Sequence, residues 1–434
     1  MKIMTLAAFL SLLPTLAFSA DWPQWRGPDG SGHISGTGYP TSWSETENVA
    51  WKTELPGQGH SSPVIDGDAV WLTTATTAPI SEEKKKEKLA ANTGSQPLTL
   101  VGELSMRALC VDRKSGELLH NIELLVHEDP QWTHQINTFA SPSPVLDDGK
   151  LYCCFGSHGS ACLDTKTKKV LWTNQDLVVL HENGPGSTPV VWGDYFIVHC
   201  DGSDVQYIAA LNKQTGKLAW KTKRSGEMND NPQLQKAYGT PLVVTIDGQD
   251  QLISPAADWL YAYDPATGEE LWKLNYGLLG FSIVPRPVFG HDTIYFSTSF
   301  MKAQIQAVKV EDGKPRILWT HDKGAPKIPS PILVGDELYF VNDKGIATCL
   351  DAATGKWHWE TRLPSQVDRS PTYADGHLYF HNREGETFVV APGPEFNLLH
   401  TNRLDGGHWA SMAGADGAFY VRTDKAFYCL KNEP

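Results

Sequence analysis

The stretch Leu211-Asn212-Lys213-Gln214-Thr215-Gly216-Lys217-Leu218-Ala219-Trp220 decides the fold. An apolar run ends in Asn, a Thr-Gly turn follows, and a second run carries Trp. This is turn chemistry between two strands, and it predicts a β-hairpin. The same wording returns at Tyr263-Asp264-Pro265-Ala266-Thr267-Gly268-Glu269-Glu270-Leu271-Trp272 and at Leu350-Asp351-Ala352-Ala353-Thr354-Gly355-Lys356-Trp357-His358-Trp359. Upstream of each hairpin lies a small residue with Pro and an apolar pair, as in Ser62-Pro63-Val64-Ile65. A Gly/Asp turn and an aromatic-rich strand come next, as in Val70-Trp71-Leu72. The unit therefore has four strands.

The first-strand anchors are Pro63, Pro144, Pro189, Pro241, Pro287, Pro331 and Pro371, with Met412 as a degenerate eighth. Their spacings are 81, 45, 52, 46, 44, 40 and 41. A period of this size with four strands per unit predicts an all-β, eight-bladed β-propeller of antiparallel blades. Trp51, Trp172, Trp220, Trp272, Trp319 and Trp359 mark fourth strands, where they are expected to pack between sheets. The strand at Trp51 lacks three strands before it, and the unit from Met412 to Leu430 lacks a fourth. Pairing the two completes one blade and closes the ring without free edges. The long first interval holds an insertion over 76–103, with the charge run Glu82-Glu83-Lys84-Lys85-Lys86-Glu87-Lys88. It reads as a solvated helical or disordered segment.

Composition agrees. Of 434 residues, 41% are hydrophobic and 20% charged, enough for a large core and too apolar for a disordered chain. The net charge of -13 argues against general nucleic-acid binding. Met1-Lys2, an apolar run from Ile3 to Ala17, and Ala17-Phe18-Ser19 read as a signal peptide over 1–20. No Cys sits at the cut for lipid attachment, and no later stretch is long and apolar enough for a membrane span. The expected organisation is signal 1–20, an N-terminal arm 21–50 and a propeller 51–434, in a monomer that is periplasmic or secreted. Of seven Cys, Cys110, Cys162, Cys349 and Cys429 share one place in the repeat, where Ala210, Ala262 and Ala307 stand elsewhere. They read as small packing residues.

The Asp/Asn-x-x-Thr-Gly-x-x-x-Trp hairpins resemble the quinoprotein (PQQ-like) repeat. That repeat builds the eight-bladed propellers of quinoprotein alcohol dehydrogenases and of an outer-membrane assembly lipoprotein. The opening Asp21-Trp22-Pro23-Gln24-Trp25-Arg26-Gly27-Pro28 resembles a bacterial exported subfamily of PQQ-binding-like propellers. The resemblance implies three readings: a quinone-dependent oxidoreductase, an assembly scaffold, or a binding module. For the first, PQQ needs an aromatic floor and a divalent cation held by oxygen ligands. Trp259 is the candidate floor, and Asn183, Asp201, Asp204 and Asp258 are candidate calcium ligands. The family dehydrogenases also use a disulfide between adjacent Cys. Cys153-Cys154 are adjacent, but neighbouring strand residues face opposite ways.

Loops joining second to third strands, and fourth strands to the next blade, open on one face of a propeller. That face is rich in polar residues here. The second-to-third loops hold His158, Asp201, Asp204, Asp258, Trp259, Lys302 and Arg383. The inter-blade loops hold His60, His134, Asn137, His181, Glu182, Asn183, Arg224, Asp230, Lys236, Arg286, Lys327, Arg369 and His408. The recurrence of His, Arg or Lys before the first strand predicts a cationic mouth in an acidic protein. Such a mouth suits a small anionic molecule, an acidic glycan or an envelope protein partner. His134, His181, His199 and Glu182 are candidate acid/base groups.

Overall fold

A computed structural model describes residues 22–92 and 96–433. The expected signal peptide over 1–20 lies outside them. Eight sheets radiate around an axis, seven of four antiparallel strands and one of five, the fifth joined in parallel. Blade 1 begins at Val64–Asp66, blade 2 at Val145–Asp147, blade 3 at Val190–Trp192 and blade 4 at Leu242–Ile246. Blade 5 begins at Val288–Gly290, blade 6 at Ile332–Val334, blade 7 at Thr372–Ala374 and blade 8 at Ala413–Ala415. Blade 8 takes its outer strand from the other end of the chain: Val49–Thr53 pairs with Phe427–Lys431, with Trp51 opposite Cys429.

The repeat has a physical explanation in its register. Trp172 lies opposite Cys162, Trp220 opposite Ala210, Trp272 opposite Ala262, Trp319 opposite Ala307 and Trp359 opposite Cys349. A small cross-strand neighbour makes room for the indole. The ring then leans on the Thr-Gly turn of the next blade. A Cβ added at Gly216 would lie 2.6 Å from the Trp172 ring, and one at Gly355 2.6 Å from Trp319. Trp172 Nε1 donates to Lys213 O at 2.9 Å, and Trp319 Nε1 to Ala352 O at 3.0 Å. Inside the turn, Asp or Asn caps the backbone: Asn212 Oδ1 accepts from Gln214 N, Thr215 N and Thr215 Oγ1. Asp351 accepts from Thr354 in the same way. Each Thr-Gly turn is thus both a hairpin closure and a socket for its neighbour.

Seven apolar clusters fill the eight seams between blades, the largest spanning blades 7, 8 and 1. Cys153 belongs to the seam of blades 1 and 2, and Cys154 to that of blades 2 and 3. They face opposite ways, and all seven Cys are buried free thiols. In the first long interval, strands Ala69–Ala78 and Glu103–Asp112 run far beyond the blade, with the helix Glu82–Ala91 between them. That helix buries none of its residues. Among the described residues no helix is long and apolar enough to cross a membrane.

The lumen holds two devices that position the site. The first is a ring of hydroxyls just before the first-strand prolines. The backbone N–H of Ser62 donates to Ser143 Oγ, Ser143 to Thr188 Oγ1, and Thr188 to Thr240 Oγ1. Arg286 N donates to Ser330 Oγ, Ser330 N to Ser370 Oγ, and Ser411 N to Ser62 Oγ. The second device is the N-terminal arm. Trp22 bridges to Ile65 in blade 1, Pro23 O accepts from Leu146 N in blade 2, and His33–Ile34 runs parallel to blade 7. Arg26, 3% exposed, donates to four carbonyls, those of Gly30, Ser31, Pro331 and Pro371.

Candidate functional site

The arm and the hydroxyl ring form the floor of a cup on the loop-rich face, with a volume of about 680 Å³ and a mainly apolar lining. Its floor is Trp25 with Ser62, Ser143, Thr188, Thr240, Ser370 and Ser411. Every inter-blade loop contributes to the wall, through His60, Asn137, Gly184, Lys236, Phe281, Ile328, Arg369 and Trp409 among others. Phe300 and Arg383 reach it from second-to-third loops.

One wall is a stacked assembly. His60 lies flat on Trp409, ring centroids 4.7 Å apart and 13° from parallel. The guanidiniums of Arg369 and Arg383 sit 5.1 and 5.3 Å from the same ring. Burial holds the His60 imidazole well below its usual range, and Arg369, Arg422 and Arg383 add to the effect. His60 is therefore neutral at pH 7, which suits a stacked ring between guanidiniums. Arg383 is ion-paired with Asp368. Arg369 forms no ion pair among the described residues. It donates to His408 O and Asp368 O, both at 3.2 Å, and burial lowers its pKa to about 10.

The facing wall is built on a strained loop. Glu182 takes φ +60° and Gly184 φ +85°. A Cβ at Gly184 would fall 2.1 Å from Thr133 Oγ1, so only glycine fits. Asn183 O accepts from His134 N, Thr133 Oγ1 and Asn137 Nδ2. Glu182 turns back from the cup and receives Ser203 Oγ, Gln233 Nε2 and Lys236 Nζ.

Of the residues expected at the mouth, His60, His134, Asn137, Asn183, Lys236, Arg369 and Arg383 line the cup. The others lie elsewhere. His158 is enclosed beneath it, its two ring nitrogens facing Phe155 O and Gln131 O, one of which receives its N–H, and burial pushes its pKa down to about 4. His181 is enclosed behind the wall, its pKa lowered by burial to about 3. His408 is enclosed against His381, its pKa lowered by burial to about 4. Asp204 Oδ1 caps Leu180 N. Asp201, His199 and Arg224 form a sealed cluster with Ser254 and Tyr263. Burial there pushes the Asp201 carboxyl up, yet Arg224 and His199 hold it below its ordinary value. Asp258 is enclosed and its pKa raised by burial. Asp230 and Lys302 are exposed, and Lys327 rests over the Phe300 ring at 5.5 Å.

Two expectations need correcting. Trp259 is not the floor: its Nε1 donates to Glu227 O outside the cup, and Trp25 occupies the floor instead. Arg286 does not border the mouth. It takes the place of a ring hydroxyl and donates into the lumen, to Pro241 O and Trp25 O. Trp25, Ser282 and Phe281 went unread as site residues. Trp25 stood in the opening motif, but its place depends on how the arm threads the ring.

Glu182 and Asp201 are not available to a calcium ion. Glu182 is saturated by Lys236, Gln233 and Ser203, and Asp201 by Arg224 and His199. Among the described residues no group of three or more His, Cys, Asp or Glu side chains converges to hold a metal.

Ring, seam and axial cup define a PQQ-like eight-bladed propeller. The family described as outer membrane protein assembly factor BamB matches residues 83–316 and 305–391, and the chain belongs to it. Quinoprotein ethanol dehydrogenase of Pseudomonas putida is 32% identical over 322 residues, covering 66% of this chain and 48% of that one. The Pseudomonas aeruginosa enzyme of the same name is 31% identical over 143 residues, 30% of this chain and 22% of that one. The chain thus spans about half the length of the first relative and about a fifth of the second. BamB from Moraxella catarrhalis superposes with a TM-score of 0.59 at 13% identity, covering 89% of this chain and 97% of that one. Quinohemoprotein alcohol dehydrogenase from Comamonas testosteroni gives 0.57 at 11% identity, covering 96% and 81%. At such identities the structures share the fold.

Proposed function

We propose that this chain is an exported binding module whose cup takes a small anionic molecule, or the anionic group of a glycan or envelope protein partner. The observation that carries the reading is the convergence of Arg369, Arg383 and Lys236 on one apolar-lined cavity of an acidic protein. Low-dielectric walls strengthen attraction to an anion. The hydroxyl ring adds neutral donors to the floor, since each oxygen accepts from the neighbouring blade and keeps its O–H. The test is thermal shift at pH 7 with acidic probes, in wild type and in Arg369→Gln/Arg383→Gln. Stabilisation by anions that the double variant loses supports the reading. No response from wild type to any anion overturns it.

The second reading, a quinone-dependent oxidoreductase, is favoured by the 32% identity to quinoprotein ethanol dehydrogenase. Trp25, Arg369 and Lys236 would face the quinone and its carboxylates, and the bound quinone would supply two-electron chemistry. The engagement of Glu182 by Lys236 and of Asp201 by Arg224 and His199 disagrees with a calcium partner at those two carboxylates. Incubation with PQQ and calcium, followed by absorbance and dye-linked alcohol oxidation, decides it: without binding and turnover the reading falls.

A further inference from the structure

We propose that the anion seat of the cup is Lys236 together with Ser282, an ammonium and a hydroxyl held by neighbouring inter-blade loops. Its ligand is a carboxylate on a planar apolar body. The inference rests on the reading of the cup as an anion site.

The Lys236 side chain is 3% exposed, yet it lines the cup. An ammonium has three donors. One goes to Glu182 Oε2 at 3.1 Å and one to Gln233 Oε1 at 2.6 Å. The third has no acceptor among the described residues. Glu182 cannot serve the ligand, because it does not line the cup and its Oε1 receives Ser203 and Gln233 while its Oε2 receives Lys236. The pair therefore turns its positive side toward the cavity. A divalent cation at this place would meet the ammonium's charge, and the neighbouring Glu182 carboxylate is already engaged.

Ser282 adds an independent sign. Its backbone N–H donates to Lys236 O at 2.6 Å, which fixes it beside the lysine, and it lines the same cup. Its Oγ is enclosed and has no hydrogen-bond partner among the described residues. An enclosed hydroxyl without a partner is costly, and a ligand oxygen reached by a χ1 rotation would satisfy it. An ammonium and a hydroxyl on residues joined through their backbones can together serve the two oxygens of a carboxylate. A phosphate dianion fits less well: the seat has two donors, and Glu182 already offsets part of the charge. Phe281, Phe300, Val284, Leu234 and Tyr238 make the adjoining wall apolar, which calls for an apolar body behind the carboxylate. Arg369, which also lines the cup and forms no ion pair among the described residues, adds long-range attraction.

The probes are 2-naphthoate, its neutral amide 2-naphthamide and 2-naphthyl phosphate, titrated against tryptophan emission and by calorimetry at pH 7, with and without EDTA. Naphthoate is expected to bind at least about tenfold more tightly than the amide, a charge-assisted hydrogen bond's worth. EDTA is expected to change nothing. Lys236→Met/Glu182→Gln, which leaves no buried charge behind, should lose about tenfold or more. Ser282→Ala should lose several-fold with an unchanged Tm, and it carries the test alone if the double variant unfolds. Equal binding of acid and amide, a calcium requirement, or indifference to both substitutions would overturn the seat. Binding of the phosphate that depends on Arg369 and ignores Lys236 overturns the seat but keeps the anion cup. Failure of wild type to bind either anion removes both.

Discussion

Gly216 shows how much a single position carries. It must take φ +69° to close its hairpin, and it must leave the face of Trp172 bare. Gly355 does the same, at φ +69°, for Trp319. Gly216→Ala therefore meets two penalties, a left-handed backbone for an L-residue and a Cβ inside a ring's contact distance. The expected destabilisation is about 2 kcal/mol or more, read from the urea midpoint. Ala at Gly313, where nothing stands within 4 Å, meets only the first penalty and should cost less. This pairing was legible in the sequence because turn, glycine and tryptophan are local and repeat. The Cys/Ala position was legible as small. The register gives the reason, since it faces the indole across the sheet. The loop residues were not legible in the same way. Spacing places His181, Glu182 and Asn183 in one loop, but φ +60° at Glu182 sends one carboxylate to Lys236 and leaves only Asn183 at the cup.

Among the elements, the N-terminal arm is the one whose role the sequence hides. It reads as a short polar stretch before the ring, with the two tryptophans of its opening motif left over. Its partners lie far along the chain: Arg26 bonds carbonyls 305 and 345 positions away. No local pattern encodes such pairs. The arm works as an axle. It touches blades 1, 2, 6 and 7 through Trp22, Pro23, Arg26 and His33, and Trp25 O receives Arg286 of blade 5. Burial, with Arg286 nearby, lowers the Arg26 pKa to about 9, still charged at neutral pH. Arg26→Met leaves four carbonyls short of a donor in the lumen. A loss of about 3 kcal/mol or more is expected, with earlier cleavage of the arm in timed proteolysis. An unchanged melting temperature and unchanged cleavage would refute the axle. Blade 8 depends on the same end of the chain, since its outer strand is Val49–Thr53, so loosening the arm and opening the seam should occur together.

Across the whole molecule, the loop-rich face is built on neutral, enclosed histidines, and this gives the protein a directional response to acid. Burial lowers His158 to about 4, His181 to about 3 and His408 to about 4, and it holds His60 and His381 well below the ordinary imidazole value. In the unfolded chain each titrates near about 6.5. Between that pH and the folded values, the unfolded state binds protons that the native state refuses. Stability is therefore fully present above about pH 6.5 and falls as pH drops toward 4, by up to about 1.4 kcal/mol per pH unit for each histidine. Asp201 continues the trend below its own unfolded value, because its folded pKa is depressed by Arg224 and His199 once burial is offset. The melting temperature should hold level from pH 8 to 7 and decline steadily from pH 6.5 to 4.5. His158→Gln with His408→Gln should flatten that decline, since an amide can bond the same carbonyls and hydroxyl without titrating. The cup should respond earlier than the ring, because His60, His181 and His408 brace its walls and the Trp-on-turn latches do not titrate. Probe binding at the cup is accordingly expected to weaken at a pH where the far-ultraviolet dichroism of the sheets is still intact. Simultaneous loss of both signals would mean that the face has no such independence.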